Sequence, residues 1–143
     1  MTVHTVEALV PHAPAALFDL VADVERYPEF VPGWVSARIL RREGDRHWTD
    51  QVVQVAFLRQ RFRTCTELDP PHSITVRGAD GIFEKLLIRW SFLERPGGCL
   101  VRLDVDFDTR SKHLKTFAAF LSGAFVHDLM TAFVTRAETL NSL

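Results

Sequence analysis

Along most of this chain apolar and polar residues alternate with a period of two, and towards the C-terminal end the period lengthens to that of a helix. The alternation is cleanest over 99–108, where Val101, Leu103, Val105 and Phe107 fall on one side and Arg102, Asp104, Asp106 and Asp108 on the other. Leu86, Ile88, Trp90 and Phe92 repeat the rhythm over 85–94, as do Val53, Val55 and Phe57 over 48–57. Over 60–69, Phe62 and Leu68 oppose Arg61, Arg63 and Glu67; runs at 35–42 and 73–78 complete six strands, and a weaker one lies at 2–10. The separators 43–45, 69–71, 80–81 and 96–98 are rich in Gly, Pro and Asp, residues that reverse a chain within a few positions. Connections this short join antiparallel neighbours, and one apolar side per strand predicts a sheet wet on its other face.

Pro14 suits the first turn of a helix whose apolar face is Leu17, Phe18, Leu20, Val21 and Val24. Pro28 and Pro32 then forbid a long regular element over 27–34 and force a compact, aromatic-rich connector. After a stretch of capping residues at 108–111, Leu114, Phe117, Ala118, Leu121, Phe125, Leu129, Ala132 and Phe133 recur at helical spacing, and the pattern runs to about residue 140 without a proline. Strand, helix, strand run and long helix together predict an α+β domain, in which a curved antiparallel sheet wraps around the C-terminal helix and leaves an apolar cavity between them.

Composition narrows the class. A chain of 143 residues suits one domain, 1–143, with a core that needs no disulfide framework. With 47% hydrophobic and 24% charged residues it is neither disordered nor collagenous, and the longest nearly unbroken apolar stretch, 116–126, falls short of the roughly 20 residues of a membrane span. A net charge of −1 argues against a DNA-coating protein. Cys65 and Cys99, without a basic-apolar leader at the N-terminus, point to a reducing cytoplasm, and Cys65 sits in no redox or nucleophile signature, so it reads as packing. Eleven Phe against a single Tyr supply apolar aromatic surface for a tight core or for a cavity wall.

Three motifs carry a resemblance. Tyr27-Pro28-Glu29-Phe30-Val31-Pro32 reproduces a Tyr-Pro-x-Phe-x-Pro connector; Asp80-Gly81-Ile82-Phe83, then Leu86, Trp90 and Phe92, resembles a Gly-Pro-Phe, Leu, Trp-x-Phe strand; Ala132-Phe133 and Arg136-Ala137 match an Ala-Phe-x-x-Arg-Ala ending. Across nearly its whole length the chain thus resembles the coenzyme-Q-binding START family, the polyketide cyclase-like proteins that include bacterial ribosome-association toxins. It departs from the pattern at Ile82, in place of Pro, and at Gly33-Trp34, in place of Trp-Cys. The resemblance implies the helix-grip (START/Bet v 1-like) fold. It also implies a ubiquinone-binding carrier or chaperone that supports respiratory electron transport, with a ribosome-associating toxin that blocks subunit association as the runner-up and a polyketide aromatase/cyclase as the third reading.

Catalysis has thin support, and a non-enzyme is expected. The six histidines form no i,i+4 pair and no Cys or carboxylate stands at ligand spacing, so no metal is expected. His127 and Asp128 are helical neighbours that diverge by about 100°, a poor dyad, although one of them could face the cavity. An aromatase would need an acid or base there, and Tyr27, His127 and Asp128 are the candidates. The aromatic set is the stronger signal. Tyr27, Phe30, Val31, Pro32 and Trp34 of the connector, Val55, Phe57, Phe62, Phe83, Leu86, Trp90 and Phe92 of the sheet, and Phe117, Leu121 and Phe125 of the helix are expected to line the cavity, with the Tyr27 hydroxyl as donor at its mouth. No cofactor is required in this reading; the ligand is a polyprenyl quinone or another apolar small molecule. A basic band is the other feature: seven Arg between 38 and 63 face Glu43, Asp45 and Asp50, a local excess of four positive charges. Within it Arg59, Arg61 and Arg63 ring an apolar hairpin tip with Phe57, Leu58 and Phe62, which suits an anionic membrane surface, at the inner face of the membrane, or ribosomal RNA.

Overall fold

A computed structural model describes residues 2–55, 58–78, 80–81, 83–109 and 123–141. The elements run β1 (Thr2–Val10), α1 (Pro14–Ala22), a 3-10 helix (Val24–Glu29), β2 (Trp34–Glu43), β3 (Arg46–Val55), β4 (Leu58–Asp69), β5 (Ser73–Gly78), β6 (Phe83–Arg95), β7 (Gly98–Thr109) and α2 (Gly123–Asn141). Strand limits shift by a residue or two from those read in the sequence. The connector's first residues, 27–29, end a 3-10 helix that begins at Val24 and contains Pro28, and 30–33 continue as turns and a bend. The first part of the expected C-terminal helix, 111–122, lies outside the described residues.

The seven strands form one antiparallel sheet in the order β1-β7-β6-β5-β4-β3-β2. Towards the β1 side lies the pair with the cleanest alternation: Leu86, Ile88, Trp90 and Phe92 of β6 stand opposite Phe107, Val105, Leu103 and Val101 of β7. The two apolar columns therefore meet on one face, where Leu103 is 0% exposed, and a one-residue slip of either strand would turn its own column to the other face. Register shifts at Trp34/Ser36 and Ile39/Arg41 in β2, and at Phe83/Lys85 in β6, bend the sheet.

The chain crosses from the β1 edge to the β2 edge through α1 and the 3-10 helix, which with α2 cover the concave face. Leu17, Phe18 and Val21 of α1 are buried, and α1 packs on β5, β6 and β7. The α2 stripe comprises Phe125, Val126, Leu129, Met130, Phe133 and Ala137, all buried; each large side chain removed from water contributes about 1.5–3 kcal/mol. Among the described residues no helix is long and apolar enough to cross a membrane.

The Asp80-Gly81 motif is a latch between β5–β6 and β4. Asp80 Oδ2 accepts the Arg63 backbone N–H at 3.0 Å, and its carbonyl accepts Phe83 N–H at 3.1 Å. Gly81 has φ +61°, and a Cβ there would overlap the Arg61 carbonyl. Gly44, at φ +59° in the β2–β3 turn, has nothing within 4 Å of its added Cβ. Gly44→Ala is thus expected to cost only the left-handed backbone penalty, about 1 kcal/mol, and Gly81→Ala at least about 2 kcal/mol, because the clash adds to it. Urea unfolding of both variants measures the difference, and equal losses would contradict the packing argument.

Candidate functional site

Between the concave sheet face, the 3-10 helix and α2 lies a cavity of about 60 Å³. Its apolar walls come from Val21 and Val24, from Ile74 and Val76 of β5, from Leu86, Ile88 and Trp90 of β6, and from Leu129 and Phe133 of α2, with Tyr27, Trp34, Phe62 and Phe83 closing it. One wall differs: His47, Gln51, Thr64 and Thr66 of β3 and β4 also face it. These are inward positions of two strands paired at His47↔Thr66 and Thr49↔Thr64. All are buried, with Thr49 at 0%, His47 at 2% and Thr66 at 6% exposure.

Buried polar groups must bond to one another where water is excluded, and most of this wall does so. Thr49 and Thr64 hydroxyls share a 2.6 Å hydrogen bond. Gln51 Nε2 donates to Thr49 Oγ1 at 3.2 Å and to Thr64 Oγ1 at 3.0 Å, while its Oε1 accepts the Trp34 indole N–H at 2.8 Å. None of these bonds involves His47 or Thr66. His47 Nδ1 is buried without a partner. Burial first, and then the Arg42 charge, hold the imidazole below its usual titration range, against a smaller opposite pull from Glu25.

Six residues expected to line the cavity do so: Tyr27, Trp34, Phe62, Phe83, Leu86 and Trp90. Others are redirected by the helices that cover the sheet. Phe92 is packed beneath α1, edge-on to Phe18 at 5.9 Å, and Val31 is buried in the core. Phe125 stacks on Trp34 at 6.1 Å, and Phe30 and Pro32 line a shallow outer groove against α2. The side chain of Val55, and Phe57, Phe117 and Leu121 altogether, lie outside the described residues. The Tyr27 hydroxyl does not serve as a donor at the mouth: it donates to the Val21 carbonyl, and burial pushes its ionisation far up. His127 and Asp128 are both exposed on α2, so neither projects into the cavity.

His47, Gln51, Thr64 and Thr66 are not among the residues expected to line the cavity, nor are Val21, Val24, Ile74, Val76, Ile88, Leu129 and Phe133. Parity could have found the first four, since 47, 49 and 51 are in phase with Val53, and 64 and 66 with Phe62 and Leu68.

On the convex face the arginine band is exposed throughout. Part of its charge is matched: Arg41 to Glu43 and Arg46 to Glu67, each at 3.6 Å, and Arg61 to Asp50 at 3.2 Å. Arg41 also covers the Trp48 ring at 3.9 Å, and Arg59 bonds Gln54 at 2.7 Å. Phe62 is not part of an apolar tip; it is 5% exposed and turned inward, edge-on to Phe83 at 5.3 Å. The Leu58 side chain lies outside the described set. Cys65 is half-buried and Cys99 buried, both as free thiols.

Residues 10–134 match the family described as polyketide cyclase / dehydrase and lipid transport. The ribosome association toxin RatA of Pseudomonas aeruginosa is 34% identical over 134 residues, covering 93% of each chain. The mitochondrial coenzyme Q-binding protein coq10 of Schizosaccharomyces pombe is 26% identical over 141 residues, covering 94% of this chain and 86% of that one. A START superfamily protein from Mycobacterium smegmatis superposes with a TM-score of 0.83 at 22% identity, covering 96% of this chain and 98% of that one. The Zhui aromatase/cyclase from Streptomyces sp. R1128 does so with a TM-score of 0.83 at 18% identity, covering 96% and 94%. These two share the helix-grip fold.

The buried imidazole predicts a pH dependence. Its folded-state value lies below the ordinary 6.5, so between the two the unfolded chain binds more protons and stability rises with pH. Acidification through pH 6.5 should destabilise the native protein, a contribution absent from His47→Gln. Thermal unfolding at pH 8 to 5 of both proteins checks this; parallel curves would show that His47 is not held neutral.

Proposed function

We propose that this chain, which belongs to the polyketide cyclase / dehydrase and lipid transport family, is a carrier that holds an apolar small molecule, a polyprenyl quinone of the ubiquinone type, without transforming it. The observation that carries this reading is the cavity: a largely apolar interior, bounded by sheet and helix, with polar groups confined to one wall. Such a division suits a ligand with a polar ring and a greasy tail, whose transfer from water contributes roughly 25 cal/mol per Å². The name of the coq10 relative supports the same ligand class.

Size sets a condition on loading. At about 60 Å³ the cavity is well below the roughly 300–1,000 Å³ of sites that enclose drug-sized molecules. A quinone ring therefore enters by displacing aromatic side chains of the lining, such as Phe133 and Trp90, which meet edge-on at 4.9 Å. In this reading the protein works in the cytoplasm, meets the inner face of the membrane through its arginine-rich convex face, and needs no cofactor. Protein purified from a quinone-producing host should release a quinone on organic extraction. Added decylubiquinone should quench the fluorescence of Trp34 and Trp90 and, at a hundredfold excess over Kd, stabilise the fold by about 2.7 kcal/mol. Absence of all three responses refutes the carrier.

One observation favours a second reading, ribosome association. The convex face of β2–β4 exposes Arg38, Arg42, Arg59, Arg61 and Arg63 together, and the Pseudomonas relative is a ribosome association toxin. Phosphate contacts of this kind weaken steeply with salt. Co-sedimentation with ribosomal subunits at low salt, lost in the triple Arg59→Glu, Arg61→Glu, Arg63→Glu variant, is the expected result, and no co-sedimentation at low salt excludes it.

A further inference from the structure

The polar wall is not uniformly occupied. Gln51 is engaged through both its amide groups, and the Thr49 and Thr64 hydroxyls are engaged with it and with each other. This network fixes the inward face of β3 and β4 but leaves out the neighbouring cross-strand pair, His47 and Thr66. Both line the cavity, both are more than nine-tenths buried, and His47 keeps a sealed ring nitrogen without a partner. The His47 Nδ1 without a partner is unfulfilled hydrogen-bonding capacity at the cavity wall, and the Thr66 hydroxyl beside it stands outside the network that occupies Thr49, Gln51 and Thr64.

The chemistry of the missing partner follows from what surrounds it. No Lys, Arg, Asp or Glu lies among the described residues that line the cavity, so a carboxylate or phosphate would enter an apolar space with no counter-charge there. His47 does not supply that charge, because its surroundings favour the neutral ring. A neutral imidazole carries its one proton on either nitrogen, and on Nδ1, the nitrogen without a partner, it is a donor lacking an acceptor. The pair thus offers an N–H donor and a hydroxyl, which suit a neutral acceptor oxygen. The neighbouring strands β5 and β6, through Ile74, Val76, Leu86 and Ile88, offer only hydrocarbon.

We propose that His47 and Thr66 form the head-group subsite of this cavity, binding the neutral carbonyl or phenolic oxygen of an apolar ligand and discriminating against carboxylates and phosphates. The subsite rests on the carrier reading and adds to it an orientation, with the head group on β3–β4 and the tail along β5, β6 and α2.

The test compares decylubiquinone with dodecanoate, a tail of similar length on a charged head, by quenching of intrinsic tryptophan fluorescence. Wild type should bind decylubiquinone at least tenfold more tightly than dodecanoate. Thr66→Val and His47→Leu should each weaken quinone binding about three- to tenfold, the usual worth of one hydrogen bond, while Thr66→Ser, which keeps the hydroxyl, should stay within twofold of wild type. Urea unfolding of each variant establishes that it is folded, and if either apolar variant is not, the dodecanoate comparison and Thr66→Ser still decide. Variants that bind the quinone as wild type does, a Thr66→Ser that loses binding as Thr66→Val does, or dodecanoate bound as tightly as the quinone, overturn the subsite and leave the carrier standing. If wild type binds neither probe, the carrier reading itself fails.

Discussion

Gln51 is the residue on which the interior depends. A sheet that curves around a helix encloses its concave face, and any polar side chain on that face loses its water. Here β3 and β4 turn five polar residues inward, and the Gln51 amide, bonded to Thr49, Thr64 and Trp34, satisfies most of them at once. Because Trp34 begins β2, the same amide ties the last strand of the sheet, and the end of the connector before it, to the polar wall. Apolar residues of the same shape can replace a satisfied hydrogen-bonded set at little cost in stability. What the polar residues add is a direction: one side of the cavity can be distinguished from the other by a ligand.

The two faces of β3 and β4 separate two kinds of chemistry. Inward, hydroxyls, an amide and a neutral imidazole sit against hydrocarbon; outward, guanidinium groups sit in water, with Asp50 held close by Arg61. A period of two requires this division, since neighbours along a strand face opposite ways. A head-group site and an anion-attracting surface can thus occupy the same pair of strands with only the thickness of the sheet between them. Binding within and binding without are structurally compatible, which is consistent with one family holding relatives named for a quinone and for the ribosome.

How much of this could be read from the chain depends on whether a position's type and its phase agreed. In β6 and β7 they do: Leu86 to Phe92 and Val101 to Phe107 are apolar and in phase, and they pair as the alternation requires. The family motifs likewise marked the connector and the Asp80-Gly81 turn. In β3 and β4 phase and type disagree. Phase puts His47, Gln51, Thr64 and Thr66 inside, while hydropathy puts them outside, and the polar wall of the cavity lies where the two conflict. The aromatic residues failed in the opposite sense, since apolar type does not tell a cavity wall from close packing. Phe92 and Phe125 differ from Trp90 and Phe83 only in what covers them, which is set by where α1 and α2 cross the sheet.

The covering elements also constrain how the cavity can widen. Tyr27 donates its hydroxyl to the Val21 carbonyl near the end of α1, and its ring meets Phe30, Trp34 and Phe133 edge-on. Arg136 of α2 bonds Glu29 at 2.8 Å and lies over Phe30 at 5.0 Å. The connector is therefore joined to α1 by a buried hydrogen bond and to α2 by aromatic packing and an ion pair, so the three covering elements are coupled to one another. The polar wall is held in turn by its own network and by the strand ladders. Room for a ring must then come from rotamer changes at the shared surface, where Phe133 and Trp90 meet, or from displacement of the coupled cover relative to the sheet. In either case the hydrocarbon side is the one that must yield while the polar side is held, so in the carrier reading a ligand's head group would meet a preformed wall and its tail would shape its own space.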